Sequence, residues 1–322
     1  MAEKVRIGVI GLGRFCSHYH IPNLLGRDDV EIPAVCDISQ DRLEARDERL
    51  RGCRVFSDFR ELLEPDLVDG VIVSTPNVLH FEQCRLALTR GIRVLVDKPL
   101  TMTARQAEEL VGMSKQKDLV LMTAFTRHFM ASVEHVRQRI ADGEMGVLQM
   151  ITAVQRWYPG REVQLMGGMF LCRAVHIVDL FPWLTGRRVA RVEGQVEYGN
   201  DGYETFADIG MELDGGLSAR MLCIKESDAY QDEVSVYGTE QSFRIEQRRL
   251  YECGERGIWS AVTDLPAEDN STAYFVDVLQ GKAPAGGDPP ADPHGEDGLR
   301  ALQVLEAVVE AGRTGRSIEV PQ

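Results

Sequence analysis

Val5-Arg6-Ile7-Gly8-Val9-Ile10-Gly11-Leu12-Gly13-Arg14-Phe15-Cys16 is the stretch that decides the fold. An apolar, β-branched run ends in two closely spaced glycines and passes into an amphipathic stretch. That is the pattern of strand, tight turn and helix with which a dinucleotide-binding βαβ unit opens. Glycines in such a turn let backbone amides approach a pyrophosphate, and the helix N-terminus adds partial positive charge. The third position of the fingerprint holds Cys16. The requirement there is a small side chain for close packing of helix on sheet, which cysteine meets. Alone the loop is weak evidence, because glycines are common in βα turns.

Outward from this loop, short β-branched runs alternate with amphipathic ones, the texture of a parallel sheet with right-handed helical crossovers. Strands are expected at 5–10, 30–36, 54–56, 68–74, 92–96 and 119–123. Phe81, Cys84, Ala87 and Leu88 recur at helical spacing, as do Ala104, Ala107, Leu110, Val111 and Ser114, each set facing the sheet. After about Ala124 a helix at 131–140 is followed by longer strand-like runs at 148–156, 189–198 and 217–224. The fold class is therefore α/β: a Rossmann dinucleotide-binding domain over 1–124, then an α+β domain with a large, mostly antiparallel sheet over 125–322. The Gly-, Pro- and Asp-rich stretch at 283–298 reads as an exposed loop. In the last helix Leu299, Leu302, Leu305 and Val309 form one apolar stripe, read as packing.

At 322 residues, two domains are the better expectation for the core. The net charge of −14, from 36 basic and 50 acidic side chains, disfavours nucleic acid and anionic membrane surfaces. No apolar run approaches the roughly 20 residues that span a bilayer. A cytoplasmic protein is expected. The seven cysteines are widely spaced, without a zinc or redox pairing, so buried free thiols are expected and no metal site is read.

Asp37 ends the second expected strand a little over 20 residues beyond the loop. A carboxylate there accepts ribose hydroxyls and repels a 2′-phosphate, which favours NAD over NADP. The plainer reading is a cap for the helix starting near Ser39, and Arg42 leaves NADP open. Ser74-Thr75-Pro76-Asn77 form a turn at the carboxyl edge of the sheet, where ligands of such folds sit; a strand-to-helix turn explains them almost as well.

With Asp97-Lys98-Pro99, directly after the fifth strand, the chain resembles the glucose-fructose oxidoreductase, inositol dehydrogenase and rhizopine-catabolism family, Gfo/Idh/MocA. Matching segments run nearly end to end: the glycine loop, 74–80, 94–99, Gly143-Glu144-Met145-Gly146, 167–179 and 295–315. The cofactor contacts expected on this footing are Gly11, Gly13, Arg14, Phe15, Asp37, Ser74, Thr75, Pro76, Asn77, His80, Asp97 and Lys98. The resemblance implies that Lys98 holds the reacting hydroxyl or carbonyl. A cation beside that carbon stabilises an alkoxide-like oxygen. The plainer reading is a lysine paired with Asp97.

The segment from Met166 to Asp179 resembles the family's glycine-rich turn and helix with an Asp-x-x-x-His pair, and His176 matches the histidine. The resemblance implies a general base for alcohol oxidation and an acid for the reverse. Where many members carry the aspartate this chain has Cys172, and Arg173 stands where an apolar residue is usual. A thiol at i−4 neither orients the imidazole nor raises its pKa as a carboxylate would. Asp179, three residues on, is a substitute partner or a structural contact. Arg173 either reads an acidic substrate such as a uronate or lies on the surface. Arg127, in Phe125-Thr126-Arg127-His128-Phe129, is a substrate-binding candidate.

Three functions are compatible with these residues. The first is an NAD-dependent dehydrogenase acting on a secondary alcohol of a sugar, polyol or cyclitol. The second is an NAD-using glycosidase or epimerase that oxidises and re-reduces its substrate, and the third a non-catalytic NAD-binding regulator, which Cys172 motivates. Retention of both Lys98 and His176 favours catalysis. An open sheet face in the second domain needs covering, so a homodimer or homotetramer is expected.

Overall fold

The computed structural model describes residues 4–157, 166–225, 227–282 and 292–321. The chain forms two compact units, Met1–Thr126 with Asp269–Leu299, and Arg127–Glu268 with Arg300–Gln322.

The first unit holds a parallel sheet of β1 (Val5–Ile10), β2 (Val30–Glu31), β3 (Ala34–Cys36), β4 (Arg54–Phe56), β5 (Gly70–Val73), β6 (Arg93–Asp97) and β7 (Leu121–Ala124). The order is β4-β3-β1-β5-β6-β7, with β2 also on β1. This is the doubly wound arrangement, whose order reverses at β1, so the carboxyl ends of β1 and β5 flank the switch point. The expected strand at 30–36 is split into β2 and β3. Pro33, between them, has no N–H for a ladder and fits only where pairing is interrupted.

Helices His80–Thr89 and Ala104–Lys117 bury the stripes read from the sequence: Cys84, Ala87 and Leu88 on one, Ala104, Ala107, Leu110, Val111 and Ser114 on the other. Asp269–Leu299, which the change of texture assigns to the second domain, belongs to this unit. Its helix Ser271–Leu279 buries Tyr274, Phe275 and Val276, and Phe275 and Leu279 lie over Gly70 of β5.

Among the described residues the second unit holds nine strands: β8 (Leu148–Trp157), β9 (Val189–Tyr198), β10 (Glu204–Leu213), β11 (Leu217–Lys225), β12 (Gln231–Gly238), β13 (Ser242–Glu246), β14 (Arg249–Cys253), β15 (Trp259–Val262) and β16 (Ile318–Glu319). They run β15-β14-β13-β12-β8-β11-β10-β9-β16, and only β8 and β11 pair in parallel. Alternation decides the faces. Ile151, Ala153, Gln155 and Trp157 of β8 are buried, with Ala219, Met221, Cys223 and Lys225 of β11. Met150, Arg191, Asp208 and Arg220 line an open concavity of about 850 Å³ over β8 to β11.

The loop expected at 283–298 falls outside the described residues over 283–291. The final helix, Glu296–Thr314, buries Leu302, Leu305, Val308 and Ala311, whereas Val309 of the expected stripe is 38% exposed. The buried arc also takes in Ala301, Val304 and Ala307, so its centre lies nearer Val308 and Val309 falls at its edge. All seven cysteines are free; Cys53 and Cys253 are half-buried and the rest buried. Among the described residues no helix is long and apolar enough to cross a membrane.

Candidate active site

The carboxyl ends of β1, β3 and β5 meet at Gly11. Its N–H donates to the Cys36 carbonyl at 2.8 Å, and a Cβ there would lie 2.3 Å from the Ser74 carbonyl oxygen. With φ at +91°, this position needs glycine both for conformation and for room. A Cβ at Gly13, in contrast, would meet nothing within 4 Å, so the turn presents open backbone there. The helix beyond opens with a π-helical turn, Cys16–His20, an irregularity found most often at functional sites. Cys16 is fully buried on the sheet. Burial, with the charges of Asp97 and Asp37, pushes its thiol pKa far up, so it stays neutral. Arg14 and Phe15 are exposed, and Phe15 stacks on Tyr19.

Asp37 is 5% exposed, and its carboxylate accepts the N–H groups of Leu12 and Ser39, each at 2.8 Å. Ser39 itself caps the helix Gln40–Glu44, so capping does not need Asp37. The carboxylate instead fastens the glycine loop to the end of β3, with acceptor capacity left on both oxygens. Nη1 of Arg42 lies 3.5 Å from it. These residues fit a dinucleotide: a glycine turn with open backbone, a helix start, and a fixed carboxylate at the end of the strand that follows the first crossover.

At the end of β6, Asp97 accepts from Nε2 of His20 at 2.9 Å and from the Ser74 hydroxyl, while Nδ1 of His20 lies 2.7 Å from the Thr272 hydroxyl. Both ring nitrogens of His20 are therefore engaged, which holds the imidazole in place between Asp97 and Thr272. Burial works to raise the pKa of Asp97, but His20 and Ser74 outweigh it and hold the carboxyl below its usual range. Both Asp97 oxygens are thus engaged inside the unit, one by His20 and the other by Ser74.

His80 is fully buried, with Nδ1 2.8 Å from the Pro99 carbonyl and Nε2 2.9 Å from that of Thr75. It therefore ties the Thr75 turn to the residue after Lys98. Burial lowers its pKa and favours the neutral ring, which can donate to only one of the two carbonyls. Thr75 also donates to Gln83, Asn77 is buried and Pro76 is exposed. His20 and Thr272 escaped the sequence reading. His20 carries the weak signal of a histidine on the helix after the glycine loop, and Thr272, 252 residues away from it, carries none.

In the second unit a π-helical turn, Phe170–Ala174, leads into the helix Val175–Thr185, which carries His176 in its first turn. Glu204 accepts the Met169 N–H at 2.9 Å and satisfies an amide at this helical start. Burial raises the pKa of Glu204 against that amide's pull. His176 is half-buried with Nδ1 enclosed. Cys172 is 7% exposed and its Sγ lies 3.6 Å from the Met166 sulfur.

Asp179, considered as a partner for His176, turns instead to His128: Oδ2 accepts from Nε2 at 2.7 Å, and both groups are buried. Burial raises the pKa of Asp179 although His128 opposes it. The His128 ring stacks on Trp183 at 4.3 Å. Arg127 donates to Asp232 at 2.6 Å, and Gln155 reaches the other Asp232 oxygen at 3.3 Å. The charge of Arg127 is therefore balanced inside its own unit.

Residues 5–125 match the family described as "Oxidoreductase family, NAD-binding Rossmann fold", and residues 133–244 match the "GFO/IDH/MocA C-terminal domain". The chain belongs to the Gfo/Idh/MocA family. Like other Gfo/Idh/MocA members it is an oxidoreductase with an NAD-binding Rossmann domain. It is 27% identical to a myo-inositol 2-dehydrogenase of Thermotoga maritima over 99% of each chain. It is 26% identical to the rhizopine catabolism protein MocA of Rhizobium meliloti over 95% of each. Among solved structures, the aldose-aldose oxidoreductase of Caulobacter crescentus, complexed with glycerol, superposes with a TM-score of 0.84 at 20% identity over 99% of this chain and 100% of that one. The WlbA dehydrogenase of Bordetella pertussis, in complex with NADH and UDP-GlcNAcA, gives 0.83 at 23% identity over 99% and 100%. At such identities the two superpositions speak for the fold alone.

Proposed function

We propose that this Gfo/Idh/MocA protein is an NAD-dependent dehydrogenase that interconverts a secondary alcohol and a ketone on a sugar, polyol or cyclitol. The observation that carries this reading is the assembly, at the carboxyl edge of one parallel sheet, of the open glycine turn, the fixed Asp37 carboxylate and Lys98. The activities for which its relatives are named, on inositol above all, support a polyhydroxylated substrate. A dinucleotide held by the glycine turn and Asp37 would supply the hydride acceptor for oxidation and the hydride donor for reduction. Lys98 stabilises the oxygen on the reacting carbon and lowers the pKa of the hydroxyl. His176 takes the hydroxyl proton in oxidation and gives it back in reduction. Arg127 and Asp179 act through Asp232 and His128, shaping the second unit beside His176.

Asp37 favours NAD, because its buried carboxylate would meet the 2′-phosphate of NADP with like charge. Asp37→Ala is expected to weaken NAD and, with Arg42 released, to strengthen NADP. A lost charged hydrogen bond implies a shift of roughly 10- to 100-fold in the ratio of their kcat/KM values. An unchanged ratio removes Asp37 from cofactor choice.

The open face over β8 to β11 supports a homodimer or homotetramer joined through that sheet, with no part for nucleic acid or membrane. Light scattering at working concentration is expected to give a multiple of the chain mass of 36.0 kDa, and an Arg220→Glu variant to lower it. A monomer for the unaltered protein defeats this. The seven free thiols suit a reducing compartment such as the cytoplasm.

The test of the whole reading is reduced-nicotinamide absorbance with NAD, and separately NADP, against inositols, aldoses, uronates and nucleotide sugars. NAD-dependent turnover is expected; tight NAD binding without turnover of any substrate would sink it.

A further inference from the structure

In the second unit several buried and half-buried basic side chains are matched by acids. Arg127 meets Asp232 at 2.6 Å, His128 meets Asp179 at 2.7 Å, Arg137 meets Glu134 at 2.8 Å, Lys225 meets Asp201 at 3.4 Å and Arg244 meets Glu233 at 3.5 Å. Arg187, half-buried as well, has no such match among the described residues, and neither has Arg173. Arg173 is half-buried, and among the described residues no carboxylate lies within 4.0 Å of its guanidinium. Its Nε is enclosed and has no hydrogen-bond partner there. An enclosed N–H of a permanent cation without an acceptor is costly, because it has given up water and gained nothing in exchange. Such a group makes physical sense where an acceptor arrives from outside the chain.

The position of Arg173 says which acceptor. It lies in the π-helical turn Phe170–Ala174, which runs directly into the helix Val175–Thr185 that carries His176 in its first turn. The adjacent Cys172 contributes a thiol and no charge, so nothing next in sequence competes for the guanidinium. We propose that Arg173 receives a carboxylate of the substrate, so that the polyol this protein takes is a sugar acid, a uronate or an aldonate. The planar guanidinium matches a carboxylate in geometry and charge for charge. A phosphate dianion would bring a second negative charge, for which this turn holds no second cation.

This inference rests on the proposed reading of a polyol as substrate, but not on turnover. Binding is measured by titration calorimetry on the full-length protein with NAD present, using matched pairs: glucuronate against glucose, galacturonate against galactose, gluconate against sorbitol, with glucose 6-phosphate as the other anion. One acid is expected to bind roughly 10- to 100-fold tighter than its neutral partner, the worth of a charge-assisted hydrogen bond. Arg173→Met should erase that difference while leaving the neutral sugar's affinity in place, and Arg173→Lys should restore part of it. The inference is overturned if no acid outbinds its neutral partner, if glucose 6-phosphate outbinds every sugar acid, or if Arg173→Met weakens both members of a pair equally. The wild-type comparison decides even if a variant fails to fold. Acid preference without hydride transfer would leave this inference standing and sink the dehydrogenase reading. Turnover of neutral polyols without acid preference would do the reverse.

Discussion

Lys98→Ala is expected to lower kcat for NAD-dependent oxidation by about 10²–10³-fold, while the protein's affinity for NAD changes little. The size follows from what one preorganised cationic donor contributes to a developing alkoxide in a site shielded from water. Its placement supports the expectation. Lys98 follows β6 at the carboxyl edge of the sheet, next to Asp97, whose two oxygens accept from His20 and Ser74. The backbone after Lys98 is held by His80 through the Pro99 carbonyl, so removing the lysine side chain leaves the loop anchored. Lys98→Arg should recover only part of the rate, because a guanidinium keeps the charge but not the point-like donor. Stopped-flow hydride transfer and NAD fluorescence titration separate the two effects. A variant within tenfold of the wild-type rate would assign the oxygen-stabilising role elsewhere. His176→Ala is expected to cost a comparable factor, and its rate should lose one limb of the pH profile, since a general base leaves a titration signature that a structural histidine does not.

The features legible in the sequence are those set by local pattern. The glycine turn, the β-branched runs of β1, β5 and β6, and the helical stripes at Cys84–Leu88 and Ala104–Ser114 all follow from periodicity within a dozen residues. Asp37 was legible for the same reason: its place is fixed by distance from the loop. The polar frame around Lys98 was not. His20 reaches Asp97 across 77 residues and Thr272 across 252, and no local rule pairs residues so far apart. Nor was the return of Asp269–Leu299 to the parallel sheet, because an apolar helix does not announce which sheet it covers. Asp179 was visible beside His176 but not its direction. A buried histidine from Phe125–Phe129 took the carboxylate, which helix spacing alone could not foresee. The two π-helical turns, at Cys16–His20 and Phe170–Ala174, shift the phase of the residues after them by about one position. Both precede residues with proposed chemistry, so the spacing argument is least dependable where function concentrates.

Gly11→Ala and Gly13→Ala should part company, although the two glycines stand one residue apart in the same turn. At Gly11 the new Cβ would meet the Ser74 carbonyl oxygen at 2.3 Å and the Ser74 carbonyl carbon at 2.7 Å, both backbone atoms that cannot rotate away. The residue would also sit at φ +91°, outside the range comfortable for alanine. Strain of about 1–3 kcal/mol from the dihedral, together with separation of β1 from β5, makes roughly 3 kcal/mol a reasonable loss. For a unit of this size that is about 6–12 °C in melting temperature, with NAD binding lost because the turn can no longer form. At Gly13 the same methyl group meets nothing within 4 Å, so the apo protein should melt within about 1–2 °C of wild type. The open space is the point: if it is where a pyrophosphate approaches the backbone, the methyl group intrudes on the ligand and not on the protein. Gly13→Ala should therefore weaken NAD by about tenfold or more while leaving stability alone. Calorimetric melting and NAD titration of both variants give the four numbers needed. A stable Gly11→Ala protein contradicts the packing of β1 on β5. A Gly13→Ala protein that binds NAD like wild type means that the dinucleotide does not cross this turn, and the case for a cofactor there fails with it.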